Sequence, residues 1–99
     1  MAEYSWPPDS DRRGERAADR WEETVAALPD GVAVTGQVIG RQPFGVFVEI
    51  DGVSDVMGLA EVTTMPPGAV LPAVGTIVQG AVIDHTAHNH QVRLLLLGL

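Results

Sequence analysis

The chain has 99 residues, of which 45% are hydrophobic, with 11 glycines, 7 prolines and no cysteine. This length predicts one domain, the composition favours a turn-rich β protein over a helical bundle, and the missing cysteines exclude disulfides and thiolate metal sites. The net charge is −7, and all six basic residues are arginine. The electrostatic field of a chain with this negative charge repels a polyanion, so the charge argues against a nucleic-acid site built mainly from phosphate contacts.

Residues 1–30 are predicted to form an N-terminal arm and one helix. Two aromatic residues and two successive prolines indicate a flexible or extended arm, because such prolines disfavour both helix and strand: Tyr4, Trp6, Pro7 and Pro8. The helix is predicted to begin at Asp9 or Ser10 and to run to about residue 28, before Pro29-Asp30-Gly31 ends it.

One apolar face of this helix is formed by Ala17, Trp21, Val25 and Leu28, which recur at helical spacing. We expect Trp21 to dock the helix on the rest of the protein. The alternative is a helix whose apolar face binds a partner.

Residues 31–99 change to the alternating period of strands, with strands predicted at residues 32–38, 44–50, 56–60, 75–84 and 91–97. One helical turn is possible at residues 61–65, in the long loop after the third strand. Five strands with this gap describe a small closed barrel, so the predicted fold class is a mainly β, five-stranded OB-fold barrel with the N-terminal helix packed outside. The predicted units are an arm and helix at 1–30 and the barrel domain at 31–99.

Core residues follow from the alternation of side chains. On the first strand Val32, Val34, Gly36 and Val38 are predicted to share the inner face, and on the second Val46, Val48 and Ile50 do so. The fourth strand offers Val74, Ile77, Val78, Val82 and Ile83 as further candidates.

Phe47 is predicted to point outward, together with Gly45 and Glu49. A strand that only had to fold would more often carry a polar residue there, so this phenylalanine suggests a surface for stacking or for a partner. Gly45 would let a ligand or a neighbouring chain approach closely.

The apolar C-terminus also places hydrophobic side chains on the outside of the barrel. If Leu94 and Leu96 point into the barrel, Leu95 and Leu97 point out, and something should cover them. We expect the helix to do so, which favours a monomer, and the alternative is a homodimer through Leu95 and Leu97.

Residues 31–97 resemble the S-one RNA-binding domain, the OB-fold repeat of ribosomal protein S-one. The resemblance is carried by Gly36-Gln37-Val38-Ile39, Phe44-Gly45-Val46-Phe47-Val48, Gly58-Leu59, Val74-Gly75 with Val78, and Ile83-Asp84. It implies a surface on the second and third strands that binds RNA or another single-stranded nucleic acid, with bases stacked on Phe44 and Phe47. These two have opposite parity in a regular strand, so both face a ligand only if the turn or Gly45 reorients Phe44. Otherwise Phe44 plugs the mouth of the barrel.

The remaining candidate site residues mark departures from the family. Glu61 stands where the family commonly has a ligand-facing histidine, and its carboxylate would repel phosphate. Gln91 stands where a basic residue is usual, although Arg93 shares its face, and Arg41 before the second strand is another possible cation. Two arginines against five acids in residues 31–99 make the charge a weak argument for RNA.

Other chemistry is poorly supported by the sequence. His85, His88 and His90 could converge on zinc, but a solvated turn is the simpler interpretation, so no metal site and no cofactor is predicted. Paired acids such as Asp51 with Asp55, or Glu49 with Glu61, lack a base or nucleophile, and the chain is not expected to be an enzyme.

The expected function is therefore weak binding of RNA or single-stranded nucleic acid. The alternative is a protein-interaction module whose acidic surface binds a basic protein partner. No apolar run approaches the roughly 20 residues of a membrane span, and Arg12, Arg13 and Arg16 do not precede a signal-peptide stretch, so no membrane contact and a cytoplasmic localisation are expected.

Overall fold

The computed structural model describes residues 3–53 and 56–99 of the chain. It contains two helices, five strands and one short 3-10 helix: α1 Ser10–Asp19, α2 Trp21–Ala27, β1 Ala33–Gln42, β2 Gly45–Ile50, β3 Met57–Glu61, the 3-10 helix Val62–Thr64, β4 Ile77–Thr86 and β5 Gln91–Leu96. All five predicted strands are present, and the helical turn expected at residues 61–65 is the 3-10 helix.

The five strands form a closed barrel in the order β1-β2-β3-β5-β4, with β4 pairing back to β1. The pairing is antiparallel except between β3 and β5, which run parallel. The predicted five-stranded OB barrel is confirmed. Within the described residues, neither helix is long and apolar enough to cross a membrane.

Side chains from alternate positions of the strands fill the barrel. The predicted inner residues Val46, Val48 and Ile50 of β2 are 0%, 2% and 2% exposed, and Val38 of β1 is equally buried. Val32 and Val34 pack against this core at its margin. The alternation rule therefore located the core of the first two strands correctly.

The prediction for β4 was partly wrong. Val82 is buried and Val78 packs against the core, but Val74, Ile77 and Ile83 are exposed on the surface. Adjacent strand residues face opposite sides of a sheet, so Ile77 cannot share the inward face of Val78. At Ile83 the pairing with β5 shifts register between Val82 and Asp84, and this irregularity leaves Ile83 outside the core.

The single predicted helix is two helices, because Arg20 leaves helical geometry at φ −111° and ψ 15°. After the break, Thr24 of α2 and Leu28 at its C-terminal end are buried, and Trp21 packs against the core. The predicted docking by Trp21 is confirmed. The burial of Thr24 was not predicted, because only apolar residues were assigned to the inward face of the helix.

The helices do not cover the outward leucines, so that expectation was wrong. Leu95 is 39% exposed and Leu97 is 61% exposed. The ring of Trp21 instead lies edge-on to His85 and His90, and Leu28 joins the barrel core. Because α2 packs on the part of the barrel that carries His85 and His90, it leaves Leu95 and Leu97 exposed to solvent.

Candidate functional site

A row of paired residues crosses the outer face of three strands. Phe47 on β2 pairs with Leu59 on β3, and Leu59 pairs with Arg93 on β5. Glu61 is two residues beyond Leu59 and so shares its face. Residues paired across strands lie on the same side of a sheet, so the fold brings together Phe47, Glu61 and Arg93 as the sequence predicted.

Phe44 reaches the same surface from the turn before β2. Its ring centroid lies 5.9 Å from that of Phe47, in an edge-on arrangement with an interplanar angle of 89°. Gly45 makes the reorientation possible, since its φ of +155° is unusual for other residues and a Cβ would collide with the carbonyl oxygen of Ala60. Phe44 therefore joins Phe47 on the outside, as a stacking site requires.

The N-terminal arm covers Phe47. The ring of Trp6 lies 5.9 Å from Phe47 and 6.1 Å from Phe44, between centroids. Phe47 is consequently only 4% exposed, whereas Trp6 is 63% and Phe44 is 43% exposed. The expectation that Phe47 lies open on the surface was wrong, because an apolar side chain on an outer face is buried when another segment can pack on it.

Backbone pairing holds the arm beside β1. Ser5 and Arg41 exchange two hydrogen bonds, in which each amide donates to the other residue's carbonyl over 2.7 Å. Pro7 is buried two residues further on, against Gly40. A Cβ on Gly40 would lie 2.7 Å from Cδ of Pro7, so this glycine forms the seat of the proline ring.

Arg13 of α1 ties the arm to the second strand. Its Nε donates a hydrogen bond of 2.9 Å to the carbonyl of Pro8, and its guanidinium forms an ion pair of 2.7 Å with Glu49 on β2. The Arg13 side chain is only 14% exposed, so solvent screens this pair less than a surface pair. The arm is thus fixed at Ser5 and at Pro8.

Arg41 does not lie in the row with Arg93. A register shift between Val38 and Gly40 pairs Arg41 with Val46, whose side chain faces the core. Arg41 is 9% exposed, and its guanidinium carbon lies 4.8 Å from the ring centre of Tyr4. A cation in this position stabilises the arm through its contact with the Tyr4 ring. Nucleic-acid binding by Arg41 stays a prediction.

Arg93 borders an open groove of about 360 Å³ with two other predicted site residues, Glu61 and Gln91. Its Nε lies 2.7 Å from a carboxylate oxygen of Glu61, and one terminal nitrogen lies 3.6 Å from Asp84. The Gln91 side chain accepts a hydrogen bond of 3.2 Å from Asn89. Glu61 therefore compensates the charge of Arg93, a pairing that sequence spacing did not reveal.

The three histidines are engaged in different places. The ring of His85 makes a 2.6 Å hydrogen bond with the carbonyl of Leu28 and lies 3.3 Å from Asp30, while His90 packs on Trp21 and His88 borders the groove. In residues 3–53 and 56–99, no three His, Asp or Glu side chains gather as a metal ion would need. Asp55, which was considered with Asp51 as an acid pair and not assigned to a site, lies outside the described residues.

Sequence reasoning missed Trp6 and Tyr4 as parts of this surface. Their alternate spacing was visible, and alternate residues of an extended segment share a face. Nothing in the local pattern specified which strand edge would receive the arm, since the pairing of Ser5 with Arg41 joins residues far apart in the chain.

No family model and no curated protein matches this sequence. Among solved structures, RNase R of Mycoplasma genitalium matches 84% of this chain with a TM-score of 0.68 and 18% identity, in an apo form and in a complex with ribose-methylated single-stranded RNA. The chain folds as an S-one-like OB domain.

Two further structures resemble this S-one-like domain. GSP13 from Bacillus subtilis is 28% identical over 68% of the chain with a TM-score of 0.57, and a Streptococcus pneumoniae multidomain protein with nucleic acid binding domains is 14% identical over 78% with a TM-score of 0.60. The chain spans 15% of RNase R, 54% of GSP13 and 28% of the multidomain protein.

Proposed function

We propose that this S-one-like domain binds RNA or another single-stranded nucleic acid on the outer face of β2, β3 and β5. The observation that carries the proposal is the exposed aromatic cluster at the start of β2, beside a groove that contains Arg93. Aromatic rings next to a cation are the usual elements of a single-strand site. The RNase R structure with single-stranded RNA supports the same ligand class.

Stacking should provide most of the affinity. Arg93 is already compensated by Glu61, Arg41 lies under Tyr4, and the whole chain carries a charge of −7. Few counterions are then released on binding, so we expect weak affinity and a shallow dependence on salt.

Anisotropy titrations test this proposal. A fluorescent single-stranded RNA of about ten nucleotides, which suits the usual site size of an OB fold, is titrated with the wild-type protein, Phe44→Ala and Val70→Ala at low and moderate salt. Val70 is the matched control, because it is an exposed apolar residue beside Ile77 and Leu97, outside the proposed site. Weaker binding by Phe44→Ala alone supports the proposal. Equal loss in both variants, or none in either, contradicts the assignment of the site.

A basic protein partner is the second candidate. Acidic residues stand exposed on the helices at Asp19, Glu22 and Glu23, beside Trp21. This cluster would attract a positively charged partner at low salt. Absence of RNA binding together with saturable binding of a basic peptide would favour this function.

The proposal also covers three other expectations from the sequence. The domain acts by binding and not as an enzyme, it works in the cytoplasm, and it is a monomer. Sedimentation measurements on the wild-type protein and Leu97→Glu test the last point, because Leu95 and Leu97 are exposed and would form the contact of a homodimer. A wild-type dimer that Leu97→Glu dissociates would contradict the monomer.

A further inference from the structure

We propose that Trp6, supplied by the N-terminal arm, is the principal base-stacking residue of this surface, in place of Phe47. The inference rests on the proposed function and names the residue that meets the ligand. It also defines the ligand class as unpaired nucleotides, whose bases offer an open π face.

Exposure distinguishes Trp6 from Phe47. Phe47 is 4% exposed beneath the arm and has no ring face to offer, whereas Trp6 remains 63% exposed although it contacts two rings. Its interplanar angles with Phe44 and Phe47 are 46° and 44°, so the indole leans on both phenyl rings with one side toward solvent. Phe44, 43% exposed, lies next to it and extends the aromatic surface.

The arm holds Trp6 beside the row of site residues. Ser5 pairs with Arg41 and Pro7 packs on Gly40, so both neighbours of Trp6 are fixed on the part of β1 whose Gly40 pairs with Phe47. The Trp6 ring, 5.9 Å from that of Phe47, thereby extends the row that contains Phe47, Leu59 and Arg93. Gly40 has no side chain, and this leaves room for the arm to approach β2.

The anchoring of the arm argues against a plug that leaves when a ligand arrives. Two backbone hydrogen bonds of 2.7 Å join Ser5 to Arg41, Pro7 is buried against Gly40, and Arg13 binds the Pro8 carbonyl. Releasing the arm would break all of these contacts and expose Phe47. A fixed indole is preorganised for stacking, since little side-chain freedom remains to be lost on binding.

Tryptophan fluorescence tests the inference directly, because the chain has two tryptophans. Trp21→Phe leaves Trp6 as the reporter, and the matched variant Trp6→Phe leaves Trp21, whose ring lies on His85 and His90 and does not line the groove. Titration with a single-stranded RNA of about ten nucleotides should quench the first variant much more strongly than the second. In anisotropy titrations, Trp6→Ala should bind roughly five- to 150-fold more weakly, and Trp6→Phe should retain part of the affinity.

Each outcome decides the inference. Quenching of Trp6 with weaker binding by Trp6→Ala supports it. Unchanged Trp6 fluorescence and unchanged affinity of Trp6→Ala for an RNA that the wild type binds would overturn it and leave the proposed function standing. Tighter binding by Trp6→Ala would identify the arm as a plug over Phe47, and absence of binding by the wild type would overturn both proposals.

Discussion

Gly40→Ala should displace the N-terminal arm while the barrel stays folded. The added Cβ would lie 2.7 Å from Cδ and 2.8 Å from Cγ and the backbone nitrogen of Pro7. Since carbon atoms pack at about 3.5–4.0 Å, Pro7 must retreat by roughly 1 Å. Gly40 itself has no positive φ, so alanine is compatible with its strand conformation.

The magnitude follows from the contacts that the retreat disturbs. Two hydrogen bonds between Ser5 and Arg41 are at risk, each contributing about 0.5–1.5 kcal/mol. Replacing a strand glycine by alanine stabilises the folded state by roughly 0.5–1 kcal/mol, which offsets part of this loss. The free energy of unfolding should therefore fall by about 2.5 kcal/mol at most, less than the roughly 3–5 kcal/mol that truncation of a buried aromatic residue costs.

Acrylamide quenching in the Trp21→Phe background reports the position of Trp6. Gly40→Ala should make Trp6 more accessible to quencher, while far-ultraviolet circular dichroism stays unchanged. Gly14→Ala is the matched control, because a Cβ at this helical glycine meets no atom within 4 Å and only the helix propensity improves. Equal quenching of Trp6 in Gly40→Ala and its parent would refute the seating of the arm on Gly40.

Three further substitutions test individual contacts. Glu61→Gln should leave Asp84, at 3.6 Å, as the remaining acidic neighbour of Arg93 and make the arginine more available to phosphate. Nucleic-acid binding should strengthen and the salt dependence of log K should steepen by up to about 0.7, measured by anisotropy across a salt series. Phe47→Ala should lower the free energy of unfolding by about 3 kcal/mol or more, measured in urea, because the ring is buried. His85→Ala should cost about 1–2 kcal/mol in the same assay, since the carbonyl of Leu28 loses its partner.

Each of these variants has a control in the chain. Glu23→Gln removes the same charge from exposed α2 and should leave the salt slope unchanged, so an equal change would point to net charge alone. Phe44→Ala should cost much less stability than Phe47→Ala, because Phe44 is 43% exposed, and the reverse order would contradict the burial of Phe47. His88→Ala, at an exposed position, should match the wild type.

Much of the barrel could be predicted because its information is local. Alternation located Val46, Val48 and Ile50 in the core, and glycine–proline turns indicated five separate strands, although β1 continues to Gln42, beyond its predicted end at residue 38. Ile83 was misplaced because it coincides with a register shift, and apolar content alone does not reveal such a shift. The break at Arg20 was equally hidden, since arginine is a good helix former.

The candidate site was predicted less completely because its decisive contacts join distant parts of the chain. The Phe44 and Phe47 cluster followed from the family resemblance, but its cover by Trp6 depends on where the arm pairs. The pairing of Glu61 with Arg93 depends on the parallel neighbours β3 and β5. Both are long-range contacts that strand propensity does not encode.

The most direct test of the account is an NMR titration of the isotope-labelled protein with single-stranded RNA at low salt. We expect chemical-shift changes in the Trp6 indole, the Phe44 amide and the groove around Gln91 and Arg93, with no change near Leu97. Shifts confined to α2 around Glu22, or no shifts at all, would contradict a nucleic-acid surface on β2, β3 and β5.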